Sequence, residues 1–232
     1  LAAGQPENVV INYTVSDPNG GQAAGSFTIV VTGVNDAPSL NLAGDEAVDE
    51  DDINGLSGQV TANDADTADT LTFSLDNPVD GLTFNDDGNW SFNATHQSYQ
   101  KLDAGNPADT DTVTVAYTVS DGTVTATDSF DIVITGTNDI PVATFNTPQT
   151  VNEDSGEQTG IFTSTDADQD DTVTYTLKAP IPDGVSIDGA DNTLWKFDTF
   201  HQAYQDIGAG EDRDIPVTYI VTDSHGAAAE GT

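Results

Sequence analysis

Internal repetition is the feature that most constrains the fold of this chain. The phrase "YTVSD" at residues 13–17 returns at 117–121 and, as "YIVTD", at 219–223. A longer phrase, "NWSFNATHQSYQKLDAG" at 89–105, returns as "LWKFDTFHQAYQDIGAG" at 194–210. The repeating unit has the length of a whole domain rather than of one solenoid turn, so the sequence predicts tandem domains.

The copies are cut out of phase, and their alignment predicts three segments. Residues 1–33 are the C-terminal strands of a truncated repeat, and residues 37–139 form a complete repeat. Residues 140–232 form a second repeat that lacks its last strand.

Apolar residues alternate with polar or small ones within the complete repeat, as Val113, Val115, Tyr117 and Val119 do. This period of two is typical of strands with one buried face and predicts an all-β antiparallel β-sandwich of the immunoglobulin type. One helical turn is expected over 95–102, with Tyr99 and Leu102 facing the core. The predicted strands cover residues 46–50, 57–62, 70–76, 81–85, 89–93, 111–120 and 123–135.

Charge and composition exclude several classes of function. The chain has 40 acidic and 4 basic residues, a formal net charge of −36, and no cysteine. Nucleic acid is excluded as a partner because almost nothing could replace the counterions of phosphate. No apolar run approaches the length of a membrane helix, and the first residues do not resemble a signal peptide, so we expect a piece of a larger secreted protein without membrane insertion.

Three acidic phrases recur in the copies that span them. The first lies between the second and third strands, the second closes the strand before the final hairpin, and the third is the linker between repeats. Their members are Asp64 and Asp66 with Asp166 and Asp168; Asp17, Asp121 and Asp223; and Asn35–Asp36 with Asn138–Asp139.

The sandwich topology predicts that these phrases meet at one pole of each repeat. Asp36 is expected to join Asp64, Asp66 and Asp121, and the equivalent residues of the next repeat are expected to form a second cluster. Several carboxylates in one place need a cation between them, and ligands that are all oxygen select calcium. The alternative is that each phrase is only an Asx turn or strand cap.

Neither acidic loop is an EF-hand. Counting from Asp64 or Asp166, the sixth position is aspartate where glycine is required, and the twelfth is leucine where glutamate is required.

Glu50 lies in a further acidic phrase, "VDEDD", which matches "VNEDS" around Glu153. Two interpretations stay open at this point. Glu50 reaches the opposite pole and joins the Asp139 cluster as a calcium ligand, or it is a solvated loop residue.

The glutamate near the first strand, the Asp-x-Asp loop, the late aspartate and the Asn-Asp linker resemble the calcium pattern of cadherin repeats. The phrases "DGNWSF", "YTVSDG" and "ITGTND" extend the likeness over essentially the whole chain. Together they resemble the VCBS-type, cadherin-like tandem repeats of giant bacterial RTX adhesins.

The resemblance implies calcium-binding extender repeats of a secreted adhesin at the bacterial cell surface. Calcium would stiffen the junctions between neighbouring repeats of the same polypeptide into a rod for adhesion or biofilm. The alternative is a calcium-dependent, lectin-like module that binds surface or matrix polysaccharide.

No enzymatic activity is expected. His96 and His201 occupy equivalent places, but no nucleophile with an orienting pair accompanies them, so both are interpreted as structural histidines and His225 as a turn residue. The phase of the strands places Trp90 and Trp195 in the cores, which weakens the lectin alternative.

Overall fold

The computed structural model describes residues 1–105, 108–144, 148–169 and 171–232. The chain divides into two compact units, each built from segments that are separate in sequence. Unit 1 comprises Leu1–Val48, Asp52–Ala94 and Thr112–Val133, and unit 2 comprises Asp49–Asp51, Thr95–Asp111 and Ile134–Thr232.

The strands up to Thr135 form four sheets, with the orders β1-β2, β4-β11-β10-β7, β3-β6 and β5-β9-β8. The bounds are β1 (Pro6–Ser16), β2 (Gln22–Thr32), β3 (Ser39–Asn41), β4 (Glu46–Asp49), β5 (Leu56–Gln59), β6 (Thr61–Asn63), β7 (Thr72–Leu75), β8 (Leu82–Phe84), β9 (Asn89–Phe92), β10 (Thr110–Ser120) and β11 (Thr125–Thr135).

Aromatic side chains from facing sheets fill the core of unit 1. The ring of Trp90 on β9 lies 5.0 Å from that of Phe130 on β11, and Phe84 on β8 lies 5.9 Å from Tyr117 on β10. Along β10 the residues alternate between buried and partly exposed, as the period of two predicts. The antiparallel β-sandwich predicted from the sequence is therefore confirmed.

The β1–β2 hairpin stands apart from this core. Its strands pair with each other over their full length, and nearly all of their residues are exposed, including the apolar ones on both faces. The hairpin corresponds in sequence to β10–β11, whose core-facing residues are buried, namely Val115, Tyr117, Val119, Phe130, Ile132 and Ile134.

The strands that follow form three sheets of unit 2, with the orders β12-β14, β13-β17-β16 and β15-β18-β19. The bounds are β12 (Val142–Thr144), β13 (Glu157–Ile161), β14 (Thr163–Thr165), β15 (Thr174–Leu177), β16 (Val185–Ile187), β17 (Leu194–Asp198), β18 (Tyr219–Thr222) and β19 (Ala228–Gly231). The buried cluster Phe162, Tyr175, Tyr219 and Val221 forms the core of this unit.

Two local predictions need correction. The segment 95–102 contains turns and no helix, although Tyr99 and Leu102 are buried as expected. The predicted strand 57–62 is two strands, because Val60 turns the chain from the β5-β9-β8 sheet to the β3-β6 sheet, and its N–H binds the carbonyl of Gly88 rather than a ladder partner.

No helix in the described residues is long and apolar enough to cross a bilayer.

Each tryptophan packs against a glycine on the strand opposite. Gly58 pairs with Trp90, and Gly160 pairs with Trp195. A Cβ atom at Gly58 would lie 2.7 Å from Cζ2 of Trp90, so the ring covers the glycine backbone. Trp90 is buried as predicted, whereas Trp195 is half-buried beside a cavity of unit 2.

The two equivalent histidines make local contacts. Nδ1 of His96 accepts the N–H of Ser98, and Nδ1 of His201 accepts the N–H of Ala203. The His96 ring also lies 6.1 Å from that of Tyr99. These contacts brace the turn after β9 and its counterpart after β17.

We expect Gly58→Ala to lower the free energy of unfolding by roughly 1–3 kcal/mol, as overpacking of a core does. The added methyl must displace the Trp90 ring, which is held between Gly58 and Phe130. Urea unfolding followed by tryptophan fluorescence measures the change.

The control is Gly44→Ala, because a Cβ there meets nothing within 4 Å. Its expected effect is within about 0.5 kcal/mol. Equal effects of the two variants would contradict the packing that we describe.

Candidate metal centres

The linker and two loops of unit 1 meet at an acidic group that we call the Asp66 cluster, made of Asn35, Asp36, Asp64, Asp66, Asp69 and Asp121. Carboxylate oxygens of Asp64, Asp66 and Asp69 lie within 4.8 Å of one another. Asp66 is 1% exposed. The linker closes the cluster, since the Asp36 N–H donates to Oδ2 of Asp66 (2.9 Å) and Asn35 Nδ2 donates to Oδ2 of Asp121 (2.9 Å).

Turn formation uses one oxygen of two of these carboxylates. Oδ1 of Asp64 accepts the N–H of Asp66, and Oδ1 of Asp121 accepts the N–H groups of Thr123 and Val124. These aspartates therefore do form the turns that the Asx-turn alternative predicts. It leaves Oδ2 of Asp64 and Oδ1 of Asp66 buried without a hydrogen-bond donor.

Unit 2 repeats this arrangement in the Asp168 cluster, made of Glu50, Asn138, Asp139, Asp166, Asp168, Asp171 and Asp223. The Asp139 N–H donates to Oδ2 of Asp168 (2.7 Å), and Asn138 Nδ2 donates to Oδ2 of Asp223 (3.1 Å). The Asp168 N–H again binds Oδ1 of Asp166 (3.3 Å). The same sequence phrase therefore produces the same contacts in both repeats.

Glu50 lies inside the Asp168 cluster and not in a solvated loop. It is 0% exposed, and its carboxylate comes within 4.8 Å of those of Asp139 and Asp168. Backbone N–H groups fix both oxygens, with Thr137 donating to Oε1 (2.9 Å) and Leu102 donating to Oε2 (3.4 Å). The equivalent Glu153 is exposed.

Several oxygens of the Asp168 cluster are buried without a donor. They are Asn138 Oδ1, Asp139 Oδ2, Asp166 Oδ2 and Asp168 Oδ1. A buried carboxylate oxygen without a donor is unfavourable, because it loses its hydration and gains nothing in return.

Sequence reasoning missed four residues of these sites. Asp69 and Asp171 follow the Asp-x-Asp loops at the same offset in both repeats, a signal that could have identified them. Asp171 also lies with Asp103 and His225 in a third group, in which His225 Nδ1 is 3.1 Å from Oδ1 of Asp171 and 3.3 Å from Oδ1 of Asp103. Asp103 has no aspartate counterpart in the next repeat, so repetition could not reveal it.

Burial and mutual repulsion raise the pKa values of the cluster in unit 2. Burial raises the pKa of Glu50 to about 7, with Asp139 and Asp168 adding repulsion. The pKa of Asp168 rises to about 6 for the same reasons. Burial also raises the pKa values of Asp139 and Asp166 above the usual range. Without a cation, burial and repulsion therefore favour the protonated forms of these carboxyl groups.

The aspartates that close the hairpins behave differently. Backbone hydrogen bonds, the largest from Val124, hold the pKa of Asp121 below its usual value. Burial by itself would raise the pKa of Asp223, but hydrogen bonds from Asn138 and from the backbone at Ala227, Gly226 and His225 lower it overall. The hydrogen bonds that close the hairpins therefore favour the ionised form of these two carboxylates.

The donor set of both clusters fits a hard divalent cation. It consists of carboxylate and amide oxygens, with the single imidazole at the edge of unit 2, and calcium takes six to eight oxygen ligands. A bound cation would coordinate the buried oxygens that have no hydrogen-bond donor. The acidic clusters can therefore hold a metal, while the identity of the ligands remains a prediction.

No protein-family model matches the chain, and no curated protein matches it. Cadherin extracellular domains are among the solved structures similar to it. PcdhgB3 EC1-4 has a TM-score of 0.50 at 12% identity, over 97% of this chain and 65% of that one. Mouse cadherin-23 EC22-24 has a TM-score of 0.49 at 22% identity, over 97% and 71%. Protocadherin gamma B7 extracellular domains 1–4 have a TM-score of 0.47 at 14% identity, over 98% and 65%.

The chain thus spans about 65% of the length of the protocadherin gamma B7 structure. At such identities the likeness concerns the fold alone. The fold is a cadherin-like β-sandwich, as the sequence predicts.

Without metal, we expect the free energy of unfolding to fall as the pH rises. Glu50 has a native pKa of about 7 against a usual 4.5, so the native state retains a proton that the unfolded chain releases between those values. The retained proton adds on the order of 3 kcal/mol to the free energy of unfolding. This contribution is fully present below the unfolded-state pKa of Glu50 and is lost above its native-state pKa. Denaturant unfolding in chelator at pH values from about 5 to about 8 measures it.

Glu50→Gln should flatten this pH dependence, because the amide does not titrate, and Glu153→Gln at the exposed equivalent position should leave it unchanged. The slope that remains in Glu50→Gln belongs to Asp168 and its neighbours. Identical slopes for Glu50→Gln and the unmodified protein would contradict our assignment of the buried proton.

Proposed function

We propose that both acidic clusters bind calcium and that the chain is a set of extender repeats from a secreted adhesin. The observation that supports this most directly is the presence of buried carboxylate oxygens without donors in two clusters of the same architecture. The turns use one oxygen of Asp64 and of Asp166, and in both residues the second oxygen is buried without a donor, which favours a ligand-binding role.

Calcium would neutralise the carboxylates that now repel one another. In the Asp168 cluster, Glu50, Asp139, Asp166 and Asp168 would supply oxygens, with Asp171 and Asp223 beside them. In the Asp66 cluster, Asp36, Asp64, Asp66 and Asp121 would do so, with Asp69. The N–H groups of Asp36 and Asp139 hold one oxygen of Asp66 and Asp168 in place, which orients the other toward the ion.

Calcium at the Asp168 cluster would stiffen the junction between repeats. Glu50 belongs by sequence to the repeat 37–139, Asp139 to the linker and Asp168 to the repeat 140–232. An ion that binds all three would remove the freedom of the linker. Tandem repeats joined in this way would form a rod, with the neighbouring repeats of the same polypeptide as their first partners.

The setting that we propose is the bacterial cell surface. The resemblance to VCBS-type RTX repeats, the absence of cysteine and the acidic composition support it. Extracellular calcium modules need only weak sites, with dissociation constants of about 10⁻⁴–10⁻³ M. The carbohydrate-binding alternative has less support, because the Trp90 ring is buried against the backbone of Gly58 and is not free to stack on a sugar.

Asp66→Asn should weaken calcium binding at the Asp66 cluster and leave the Asp168 cluster intact, and Asp168→Asn should do the reverse. We expect each substitution to lower the calcium affinity of its own cluster by roughly 10–100-fold or more. Loss of a residue that only supports a metal ligand has an effect of this size. Titration calorimetry of the full chain measures the loss of one class of sites.

Asp17→Asn is the matched control, because Asp17 closes the β1–β2 hairpin through its Oδ1 as Asp121 closes its own, yet it is exposed. Its titration should equal that of the unmodified chain. Unchanged binding in both cluster variants would overturn the proposed ligands.

Calcium should also lengthen and stabilise the chain. Small-angle scattering should give a larger maximum dimension in calcium than in chelator, because a bridged linker cannot bend. The melting temperature should rise with calcium concentration, since the ion binds only the folded state. An unchanged dimension together with an unchanged melting temperature would contradict the extender function.

A further inference from the structure

The third group in unit 2 differs from the Asp66 and Asp168 clusters because it contains an imidazole. Asp103, Asp171 and His225 each offer one ligand atom, and these atoms lie within 4.8 Å of one another. Nδ1 of His225 is 3.1 Å from Oδ1 of Asp171 and 3.3 Å from Oδ1 of Asp103. The group therefore brings together one nitrogen and two carboxylate oxygens.

Local hydrogen bonds hold two members of the group in place. The His225 N–H donates to Oδ1 of Asp223 (2.8 Å) within the turn that joins β18 to β19. The Ser224 hydroxyl donates to Oδ1 of Asp171, and the Asp171 side chain is 0% exposed. The imidazole and the carboxylate are thus positioned by the fold before any ligand binds.

The third member, Asp103, comes from a different repeat. By sequence it belongs to the complete repeat, whereas Asp171 and His225 belong to the repeat that follows. The Gln169 N–H donates to the carbonyl of Lys101 (3.5 Å), which brings the segment before Asp103 against the loop before Asp171. A ligand bound by all three side chains would therefore join two repeats.

The His225 ring cannot satisfy both carboxylates. Its Nδ1 carries either one proton or one lone pair, yet oxygens of two carboxylates lie beside it. Oδ1 of Asp103 is buried and accepts no hydrogen bond, although it is 3.3 Å from that nitrogen. Such an oxygen is unfavourable, because it has lost its hydration without gaining a donor. It therefore points to a cation as the missing partner.

The spacing and the donor types fit a tetrahedral transition metal. Zinc binds His nitrogen and Asp oxygen at about 2.0–2.2 Å, so two of its tetrahedral ligands lie about 3.3–3.6 Å apart. The observed separations of 3.1 and 3.3 Å are close to this range. Calcium fits less well, because it takes about six to eight ligands that are all oxygen, whereas imidazole suits zinc.

The preceding repeats lack this donor set. The phrase "YTVSDGT" at 117–123 aligns Thr123 with His225, and "LAAG" at 1–4 aligns Ala2 with Asp103. Of the three positions, only that of Asp171 has an aspartate counterpart, Asp69. We therefore expect one site of this kind in the chain.

We propose that Asp103, Asp171 and His225 bind zinc at a site separate from the two calcium clusters. One oxygen of each aspartate and Nδ1 of His225 supply three ligands, and water completes the tetrahedron. Asp171 also lies within reach of Asp166 and Asp223, so it stands between this site and the Asp168 cluster. Zinc binding does not require calcium in the clusters, so the two proposals can fail separately.

Titration calorimetry of the full chain with zinc, in excess calcium, tests this. We expect one zinc ion to bind per chain, because calcium fills the oxygen sites and competes poorly for imidazole. His225→Gln and Asp103→Asn should each lower the zinc affinity by at least about tenfold, since loss of a residue that only supports a metal ligand costs roughly 10–100-fold.

His201→Gln is the matched control. It removes an imidazole that accepts the N–H of Ala203 and is not a member of the group. Its zinc affinity should equal that of the unmodified chain. Absence of zinc binding, displacement of zinc by excess calcium, or equal losses in His225→Gln and His201→Gln would overturn the proposal.

Cobalt(II) gives an independent measurement, because its visible absorption is much stronger in a four-coordinate site than in a six-coordinate one. We expect the strong absorption in the unmodified chain and in His201→Gln, and its loss in His225→Gln at the same cobalt concentration. Weak, six-coordinate absorption in all three proteins would contradict the tetrahedral site.

Discussion

The repulsion among carboxylates gathered at one end of each sandwich is the constraint on which the rest of the structure depends. The fold brings carboxylate oxygens of Glu50, Asp139 and Asp168 within 4.8 Å of one another and buries Glu50 and Asp168. Burial and this repulsion raise the pKa values of Glu50 and Asp168, and either protonation or a bound cation would relieve the repulsion. The net charge of −36 adds repulsion of the same kind over the whole chain.

Ordinary turn chemistry builds these sites. Asp64 and Asp166 form Asx turns, and Asp121 and Asp223 close hairpins, so each must be an aspartate or a similar residue for local reasons. The second oxygen of Asp64 and of Asp166 then has no hydrogen-bond donor, whereas that of Asp121 and of Asp223 accepts the side-chain amide of Asn35 or Asn138. If the clusters bind metal as proposed, the same aspartates serve both a turn and the ligand set, and the linker N–H groups of Asp36 and Asp139 hold Asp66 and Asp168 beside them.

The repeats differ in how completely their cores are filled. Phe130 closes the core of unit 1 against Trp90, whereas Trp195 is only partly buried and lies beside a cavity. Periodicity predicts that Trp195 points inward, and it does pack against the buried cluster of unit 2. Periodicity could not predict its exposure, because exposure depends on packing against residues that are distant in sequence. The same holds for the segment 95–102, where helical spacing correctly placed Tyr99 and Leu102 but the backbone forms turns.

The sequence by itself determined the alternation of the strands, the repetition of the acidic phrases and the turn chemistry of each aspartate, because these depend on neighbours a few residues away. Only the tertiary structure decided that Glu50 is buried among Asp139 and Asp168, while its sequence equivalent Glu153 is exposed. It also added Asp103 and Asp171 beside His225. Such contacts join loops many residues apart, and the packing of the sheets alone sets their distances.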